Sequence, residues 1–457
     1  MKFLHIADVH LGCRRYNLEE RTKDFFRAWQ DVIIKHALPN ELDFMLIAGD
    51  FFNSRKVDPQ TMNHAIIGLQ LLKDAGIPVL AIEGNHDQHD AISNFSWLRS
   101  LSQWGYLKLL EPVQDPAGGF RLVPWDEEER TGSYIDIAGA RIFGSHWYGT
   151  SANVAIPVLA ESIRLASSEE RFHILMLHTD VEGQLNRPLP ALSIAKLKAL
   201  RSLIQYVALG HTHKRFELEG WALNPGSLEA CSIDEYREER GIYLVEIGRD
   251  QQAQTCYIRD FVQRPFARLS FDVSGVVDAA AVQEGVIEKV RREVKEHTDE
   301  SESPAPIIEI SLRGHLGFKN SLLELNRMRD EACELTGALH VMVRNQSVPV
   351  EYAVAVGLDV NASRHERERR IIEDLIARDT RFRERARDMT ELVVEAKRLA
   401  LSDEPPTMIL DLIAQKLELT ERTEGDAARD ETLDTPEITV PTTTALNAIE
   451  RNAIAEV

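Results

Sequence analysis

Five short apolar segments in the first half of this chain each end at or just before residue types that can bind a metal ion. The segments span residues 3–7, 44–49, 78–83, 174–177 and 206–209. The residues that follow them are, in order, Asp8-Val9-His10, Asp50, Asn85-His86-Asp87, His178 and His211-Thr212-His213. In open α/β sheets, the loops beyond the carboxyl ends of the strands form the ligand-binding crevice. The sequence therefore predicts a sheet that gathers these side chains along one edge.

Helical patterns alternate with these segments up to about residue 215, which is typical of an α/β layered structure. The clearest predicted helix follows Asp58, which can cap it, begins with Pro59 and stops before Gly76. From about residue 218 to residue 262 the pattern changes to strands. We therefore predict a second sheet that packs on the first within residues 1–262.

The remaining residues predict a different organisation. Residues 263–358 alternate between strand and helix patterns and are expected to form a compact α+β domain. Residues 359–420 are predicted to be helical, with two amphipathic stretches at 361–400 and 408–419 on either side of Pro405-Pro406. These helices need an apolar surface to cover, either elsewhere in this chain or on a partner. Residues 421–457 are predicted to be disordered.

Composition narrows the classes of function. The net charge of −20 argues against a generally basic surface that grips phosphates. A polyanionic substrate would have to be attracted by bound cations or by the basic pairs Arg14-Arg15, Arg55-Lys56 and Lys214-Arg215. No apolar run approaches the roughly 18 residues of a membrane span, and the chain starts without a signal-peptide pattern, so we expect a cytoplasmic location and no membrane partner. The four cysteines show no C-x-x-C spacing, which does not favour structural zinc.

The strand-end residues together predict a metal site. Carboxylate, imidazole and amide ligands suit divalent ions such as Mn²⁺. A dinuclear centre needs a bridging group, and Asp50 is the best candidate because it stands alone at its strand end. Each motif is weak by itself, and a lone histidine such as His178 is more often structural than a ligand. Their shared placement predicts one site formed by Asp8, His10, Asp50, Asn85, His178, His211 and His213.

The set D-x-H, G-D, G-N-H-D, H and G-H-x-H resembles that of the calcineurin-like metallophosphoesterases over about residues 1–235. The segments H-I-A-D-V-H-L-G and N-P-G-S resemble, within that superfamily, the SbcD-type DNA repair exonucleases. Those proteins also carry a small capping domain and a C-terminal helical segment. The resemblance implies an α/β fold: a four-layer αββα metallophosphoesterase sandwich of residues 1–262, a capping domain of residues 263–358 and a partner-binding helical segment of residues 359–420.

The resemblance also implies a role for each site residue. Two divalent ions, expected to be Mn²⁺, would be bound: one by Asp8, His10, Asp50 and His213, the other by Asp50, Asn85, His178 and His211. His86 would be the catalytic histidine, which protonates the leaving oxygen or stabilises charge in the transition state, and Asp87 would orient it. Some of these nucleases have a further histidine where this chain has Asn53, which would weaken or retune exonuclease activity while leaving metal binding intact.

The prediction that follows is a metal-dependent DNA nuclease that hydrolyses phosphodiester bonds at duplex ends and also within single strands. By the same resemblance, its partner in double-strand break repair would be an SbcC-like coiled-coil ATPase of the SMC type, bound through residues 361–419. Two alternatives stay open. The acidic surface favours a phosphodiesterase or phosphatase acting on small phosphate esters, and a third reading is a non-enzymatic assembly subunit. The sequence does not decide whether the protein forms a homodimer.

Overall fold

A computed structural model describes residues 1–89, 95–116, 118–185, 190–298, 303–348, 363–377, 382–402 and 405–424. The chain divides into two compact units, Met1–Val350 and Glu351–Val457. The predicted disordered tail lies outside the described residues from residue 425 onward. Its first four residues are instead the end of a helix that runs to Glu424.

The first unit contains a mixed six-stranded sheet. Its strands are β1 (Lys2–Ile6), β2 (Phe44–Ala48), β3 (Val79–Ile82), β4 (Lys108–Leu109), β13 (Ile242–Ile247) and β14 (Ala253–Ile258). They are arranged in the order β14-β13-β1-β2-β3-β4. Strands β1 to β4 are parallel, whereas β13 is antiparallel to both of its neighbours. The carboxyl ends of β1, β2 and β3 therefore meet at one edge.

A second six-stranded sheet faces the first. Its strands are β7 (Tyr134–Ile137), β8 (Ala140–Phe143), β9 (Phe172–His178), β10 (Tyr206–Gly210), β11 (Phe216–Leu218) and β12 (Ala222–Asn224). The order is β11-β12-β10-β9-β8-β7, with parallel pairing from β12 to β8 and antiparallel strands at both edges. A separate short hairpin consists of β5 (Val113–Gln114) and β6 (Phe120–Arg121).

Helices cover the outer face of each sheet. Residues of α1 (Glu19–Val32), α2 (Pro59–Asp74) and α3 (Trp97–Gln103) share an apolar cluster with the first sheet, and those of α4 (Ala152–Ala166) and α5 (Ile194–Lys198) share one with the second. A third cluster joins the two sheets face to face. The predicted four-layer αββα sandwich is therefore confirmed, as is the Asp58 cap of α2, whose carboxylate accepts hydrogen bonds from the Gln60 and Thr61 amides.

Burial on both faces explains why the strands are continuously apolar. In β2, Phe44 and Leu46 point into the core between the sheets, whereas Met45 and Ile47 pack against the outer helices. His5 of β1 also lies in the core between the sheets. Its Nδ1 accepts from the Tyr206 hydroxyl at 2.9 Å and its Nε2 donates to the Leu209 carbonyl oxygen at 3.1 Å. Burial lowers the pKa of His5 to about 3, so the ring is neutral.

A buried charged network lies at the connection between β14 and the next strand. Arg264 donates from Nε and Nη2 to the two carboxylate oxygens of Asp24, at 2.6 Å each. Arg21 donates to Asp24 at 2.5 Å, and its Nη2 lies 3.7 Å from a carboxylate oxygen of Glu229. The other Glu229 oxygen accepts from the Arg264 amide at 2.8 Å. Two guanidinium groups and two carboxylates thus balance in a region with almost no solvent exposure.

A small parallel sheet follows this connection. It consists of β15 (Phe266–Asp272), β16 (Ile307–Arg313) and β17 (His340–Asn345), paired in that order. The helices α6 (Ala279–Glu293) and α7 (Leu325–Thr336) share an apolar core with these strands. The predicted alternation of strand and helix is confirmed here, although residues 349–358 of the predicted capping domain lie outside the described residues.

The second unit contains the helices α8 (Arg364–Ile376), α9 (Ala386–Leu401) and α10 (Pro406–Glu424). Helix α9 packs against both of the others. Several apolar side chains of this unit are nevertheless exposed: Ile371, Leu375, Val393, Leu401, Met408 and Leu410. Among the described residues, no helix is both long enough and apolar enough to cross a membrane.

Candidate metal centre

The structure brings all seven predicted ligands to one edge of the sandwich. Three loops of the first sheet supply Asp8 and His10 after β1, Asp50 after β2, and Asn85 after β3. The second sheet supplies His178 as the last residue of β9, and His211 and His213 directly after β10. Because both sheets end at the same edge, residues that are up to 205 positions apart in the sequence become neighbours.

Two groups of ligand atoms can be distinguished, and Asp50 belongs to both. The first group is Asp8, His10, Asp50 and His213, and the second contains Asp50, His178 and His211. In each group, one ligand atom per residue lies within 4.8 Å of the others. Asn85 joins the second group, since its Oδ1 lies 2.8 Å from His211 Nδ1 and 3.2 Å from His178 Nε2. Asp50 is thus the residue that the two groups share, and its bridging of two ions stays a prediction.

The donor atoms of this centre fit divalent metal ions. The Oδ2 atom of Asp50 is buried and lies 3.2 Å from His178 Nε2 and 3.7 Å from His10 Nε2, between the two groups. The Nε2 atoms of His10 and His213 face each other at 2.8 Å. Carboxylate oxygens, imidazole nitrogens and an amide oxygen converging in this way are the donors that divalent ions accept.

The charges of the centre are strongly coupled. Burial by itself would lower the pKa of His178, but the negative charges of Asp50 and Asp8 outweigh it and raise this pKa to about 9. For Asp50, burial favours the neutral acid, yet the charge and hydrogen bond of His178 hold its pKa well below the ordinary value. Burial and the neighbouring His213 lower the pKa of His10. The buried carboxylate of Asp50 therefore needs a positive charge beside it, which a protonated histidine or a metal ion supplies.

Groups behind the ligands fix their orientation. His178 Nδ1 donates to the Ala48 carbonyl oxygen at 2.9 Å, which leaves Nε2 directed at the centre. His213 Nδ1 lies 3.1 Å from Glu235 Oε1, and the His211 amide donates to both oxygens of Asp8 at 2.9–3.0 Å. Partners of this kind hold metal-binding imidazoles in one tautomer and one ring position.

Sequence reasoning did not identify two acidic residues near the ligands. Glu235 lies in a short 3₁₀ helix, 22 residues after His213, and no motif marks it. Asp180 lies two residues after His178, and its Oδ2 is 3.5 Å from His211 Nε2. Its position just beyond a strand end was a signal that could have indicated it.

Five of the predicted ligands have left-handed backbone conformations. The φ angles are 52° at Asp8, 49° at His10, 50° at Asp50, 91° at His211 and 54° at His213. Such conformations are uncommon for residues other than glycine, and each costs on the order of 1 kcal/mol. They direct the two outer side chains of the D-x-H motif, and those of the H-x-H motif, toward the same centre. Backbone strain of this kind is concentrated at functional sites.

Two glycines permit the close approach of the ligand loops. A Cβ atom at Gly84 would lie 2.1 Å from Asp50 Oδ1, and one at Gly49 would lie 2.3 Å from His178 Nδ1. Gly49 also has a φ of 88°. The glycines of the G-D and G-N-H-D motifs are therefore required because side chains would occupy the space of the ligands.

His86 lies beside the first group, but Asp87 does not contact its ring. The rings of His86 and His10 are 5.0 Å apart, and His86 Nδ1 donates to the Asn53 carbonyl oxygen at 2.9 Å. Asp87 instead accepts hydrogen bonds from the backbone amides of Phe51, Phe52 and Gly84 at 2.6, 3.2 and 2.7 Å. The prediction that Asp87 orients His86 is corrected accordingly: Asp87 ties together the loops after β2 and β3, and the Asn53 backbone orients the imidazole.

The three basic pairs differ in how they are neutralised. Arg14 lies 3.3 Å from Glu19, and Arg215 lies 2.7 Å from Glu217. Arg55 and Lys56, in the loop after Asp50, are exposed and have no acidic partner among the residues that the structure describes. Of the three pairs, Arg55-Lys56 is therefore the one in which neither side chain has an acidic partner among the described residues, which makes it a candidate contact for an external anion.

Comparison with known proteins agrees with this geometry. The profile of the calcineurin-like phosphoesterase family matches residues 1–215. Residues 1–215 are thus similar to the members of that family. The family uses divalent metal ions, in agreement with the donor atoms that meet at the edge of the two sheets.

Proteins similar to this chain include three archaeal proteins named DNA double-strand break repair protein Mre11. The protein from Sulfolobus acidocaldarius is 26% identical over 72% of this chain and 80% of its own length. The protein from Aeropyrum pernix is 27% identical over 64% of this chain and 68% of its own length. The protein from Archaeoglobus fulgidus is 32% identical over 52% of this chain and 54% of its own length. The predicted relationship to DNA repair proteins is thus confirmed.

Proposed function

We propose that this protein is a metal-dependent DNA nuclease, which hydrolyses phosphodiester bonds at duplex ends and within single strands during double-strand break repair. The observation that carries the proposal is the pair of ligand groups that share Asp50. Relatives named as DNA double-strand break repair proteins support DNA as the substrate. The exposed Arg55-Lys56 pair gives an acidic chain a local positive surface beside the centre.

In this proposal, one ion is held by Asp8, His10, Asp50 and His213, and the other by Asp50, Asn85, His178 and His211. Mn²⁺ suits this mixture of oxygen and nitrogen donors. Two such ions, when bound, make a water molecule nucleophilic at neutral pH and neutralise the charge that develops on the phosphate.

The chain's own groups position the substrate and move a proton. His86 Nδ1 donates to the Asn53 carbonyl oxygen, so Nε2 is the atom that exchanges a proton. From a protonated ring, Nε2 donates this proton to the oxygen that leaves when the phosphodiester bond breaks. Asp87 holds the backbone of the loops that carry Asp50 and His86, and so keeps the proton donor and the bridging carboxylate at a fixed separation.

The nuclease test compares a DNA substrate with a small phosphodiester. Purified protein with Mn²⁺ is given end-labelled duplex DNA and, separately, bis(p-nitrophenyl) phosphate. We expect His86→Ala to lower DNA hydrolysis by about 10²–10⁴-fold, because the proton donor is lost. It should change the aryl ester much less, because nitrophenolate leaves without a proton. Asp50→Ala should abolish both reactions, and Asp250→Ala, at an exposed turn, serves as the matched control. Full DNA hydrolysis by either site variant would contradict the proposal.

A coiled-coil ATPase of the SMC type is proposed as the partner of the second unit. The second unit has exposed apolar side chains, which include Met408 and Leu410, and they support this proposal because exposed apolar surfaces mark protein contacts. In a binding assay with the ATPase, the double variant Met408→Glu/Leu410→Glu should lose the complex while retaining aryl ester hydrolysis. Leu165→Glu, at a still more exposed apolar position on α4, is the control. Equal binding by both variants would exclude this surface.

A small phosphate ester remains a second candidate substrate, because a cavity of about 650 Å³ lies beside the loop that carries His86. Its lining includes Gln88, His89, His146 and Tyr148, and it falls in the size range of small-molecule sites. His146 is held away from the ligands, since its Nε2 donates to the Pro112 carbonyl oxygen at 2.8 Å. Turnover of a cyclic nucleotide that exceeds turnover of a DNA end under the same conditions would favour this candidate.

A further inference from the structure

Cys231 lies beside the first ligand group, although the strand-end motifs do not include it. Its Sγ atom and one ring nitrogen from each of His10 and His213 lie within 4.8 Å of one another. Two imidazole nitrogens and a thiolate form a donor set that Zn²⁺ and Co²⁺ bind well. We propose that Cys231 is an additional ligand of the metal position formed by Asp8, His10, Asp50 and His213, and that it engages when the ion at this position is thiophilic.

A single carboxylate positions both the thiol and one of the imidazoles. The Cys231 amide donates to Glu235 Oε2 at 3.0 Å, while Glu235 Oε1 lies 3.1 Å from His213 Nδ1. Arg240 holds Glu235 in place, since its Nη2 donates to the Glu235 carbonyl oxygen at 2.6 Å. The separation between Cys231 and His213 is therefore set by groups behind the centre, which is the arrangement expected of a preorganised ligand pair.

The segment that carries the thiol is also held rigidly. Ser227, Glu229 and Ala230 are buried, and the Ala230 carbonyl oxygen accepts from Arg21. Ligands that lie about 2.0–2.3 Å from one tetrahedral ion are roughly 3.5 Å apart. Because the sulfur lies within 4.8 Å of both imidazole nitrogens, it needs to move toward them by about 1.3 Å at most to reach this separation. Binding replaces the S–H bond with a sulfur–metal bond and releases one proton to solvent.

The consequence is a difference in selectivity between the two metal positions. The second group, with Asn85, His178 and His211, has only oxygen and nitrogen donors among the described residues. Mn²⁺ prefers such donors and gains little from sulfur, whereas Zn²⁺ and Co²⁺ gain a strong ligand at the first position. This inference rests on the proposed function only in that it uses the same metal position.

The first test is the absorption spectrum of the Co²⁺ form. Metal-free full-length protein, kept reduced with a phosphine, is titrated with Co²⁺. We expect a near-ultraviolet band from thiolate-to-cobalt charge transfer, and we expect Cys231→Ser to remove it. Cys13→Ser changes the neighbouring thiol that contacts Cys231, and Cys333→Ser changes a half-buried thiol in α7; both should retain the band. A band that persists in Cys231→Ser, or its absence from the unaltered protein, would overturn the proposal.

The second test compares two ions on the same variant. Chelator competition should show that Cys231→Ser weakens Zn²⁺ binding by roughly tenfold or more, while Mn²⁺ binding changes by less than about threefold. The retained Mn²⁺ binding also shows that the variant is folded. Equal losses for the two ions would overturn the role of the sulfur. Neither experiment contains a substrate, so their failure would leave the proposed nuclease untouched, and a failure of DNA hydrolysis would leave the sulfur ligand untouched.

Discussion

Replacing Asp24 by asparagine hardly changes the shape of the side chain, yet it should destabilise the first unit strongly. Asp24 is the acceptor of three hydrogen bonds at 2.5–2.6 Å from the guanidinium groups of Arg21 and Arg264. Asparagine keeps the shape of the side chain but has only one acceptor oxygen, and it directs an amide donor at a cation. The balance of two positive and two negative groups becomes an excess of one buried positive charge.

The expected loss follows from this burial. Removing one partner of a buried ion pair costs about 3–5 kcal/mol, because the remaining charge stays away from water without compensation. A domain is stable by only about 5–15 kcal/mol, so Asp24→Asn should remove a large part of the total. Arg264 also donates to the Ala305 carbonyl oxygen, so the segment that leads into β16 should loosen at the same time.

Asp136 provides a matched control on the surface. Its two carboxylate oxygens accept from Nε and Nη2 of Arg141 at 2.8 Å each, in the same two-pronged geometry, but 31% of the Asp136 side chain is exposed. Asp136→Asn should therefore cost about 0–1 kcal/mol. Urea unfolding followed by tryptophan fluorescence and by circular dichroism measures both losses. If Asp24→Asn lost no more stability than Asp136→Asn, the reasoning from buried charge would be refuted.

Three further predictions concern pH, DNA and metal affinity. The pKa of His5 is about 3 in the folded protein and about 6.5 in the unfolded chain, so the unfolded chain binds a proton that the folded protein does not. The free energy of unfolding should therefore fall by up to about 1.4 kcal/mol per pH unit as the pH drops from 6.5 to 3. His5→Gln should flatten this slope when unfolding is measured as a function of pH. Arg55→Glu/Lys56→Glu should weaken duplex binding and lower the salt slope by about 2 without changing aryl ester hydrolysis, and an unchanged slope would count against a phosphate contact. Glu235→Gln should weaken metal binding at the His213 position by about 10–100-fold in calorimetric titrations, and equal affinity would show that the carboxylate does not hold the ring.

The sequence predicts which side chains gather at the edge of the sheets, because the information for this step is local. A strand that is buried on both faces has an unmistakable apolar run, and the next residue then lies at the edge of the sheet, as Asp50 and His178 show. Because neighbouring strands are parallel, their carboxyl ends lie side by side at one edge of the sheet. No long-range contact has to be known for this step.

The residues behind the predicted ligands could not be identified from the positions of the strand ends. Glu235 and Cys231 reach the centre only because the chain folds back after β12, and the sequence gives no distance between that loop and β1. The resemblance implied that Asp87 orients His86, yet the Asp87 carboxylate binds three backbone amides instead. Side-chain partners depend on tertiary packing, which the motif does not show. The buried network around Arg264 was missed for the same reason.

Because Asp8, His10, Asp50, His211 and His213 have left-handed backbone conformations, the stability of the folded protein should depend on bound metal ions. Without divalent cations, the chain holds five unfavourable torsions and a crowded set of donors with nothing to bind. Bound cations favour only the folded form, so they offset that burden through mass action. A shortage of metal would then shorten the lifetime of the folded protein as well as stop hydrolysis. Chelation should lower the melting temperature even without substrate.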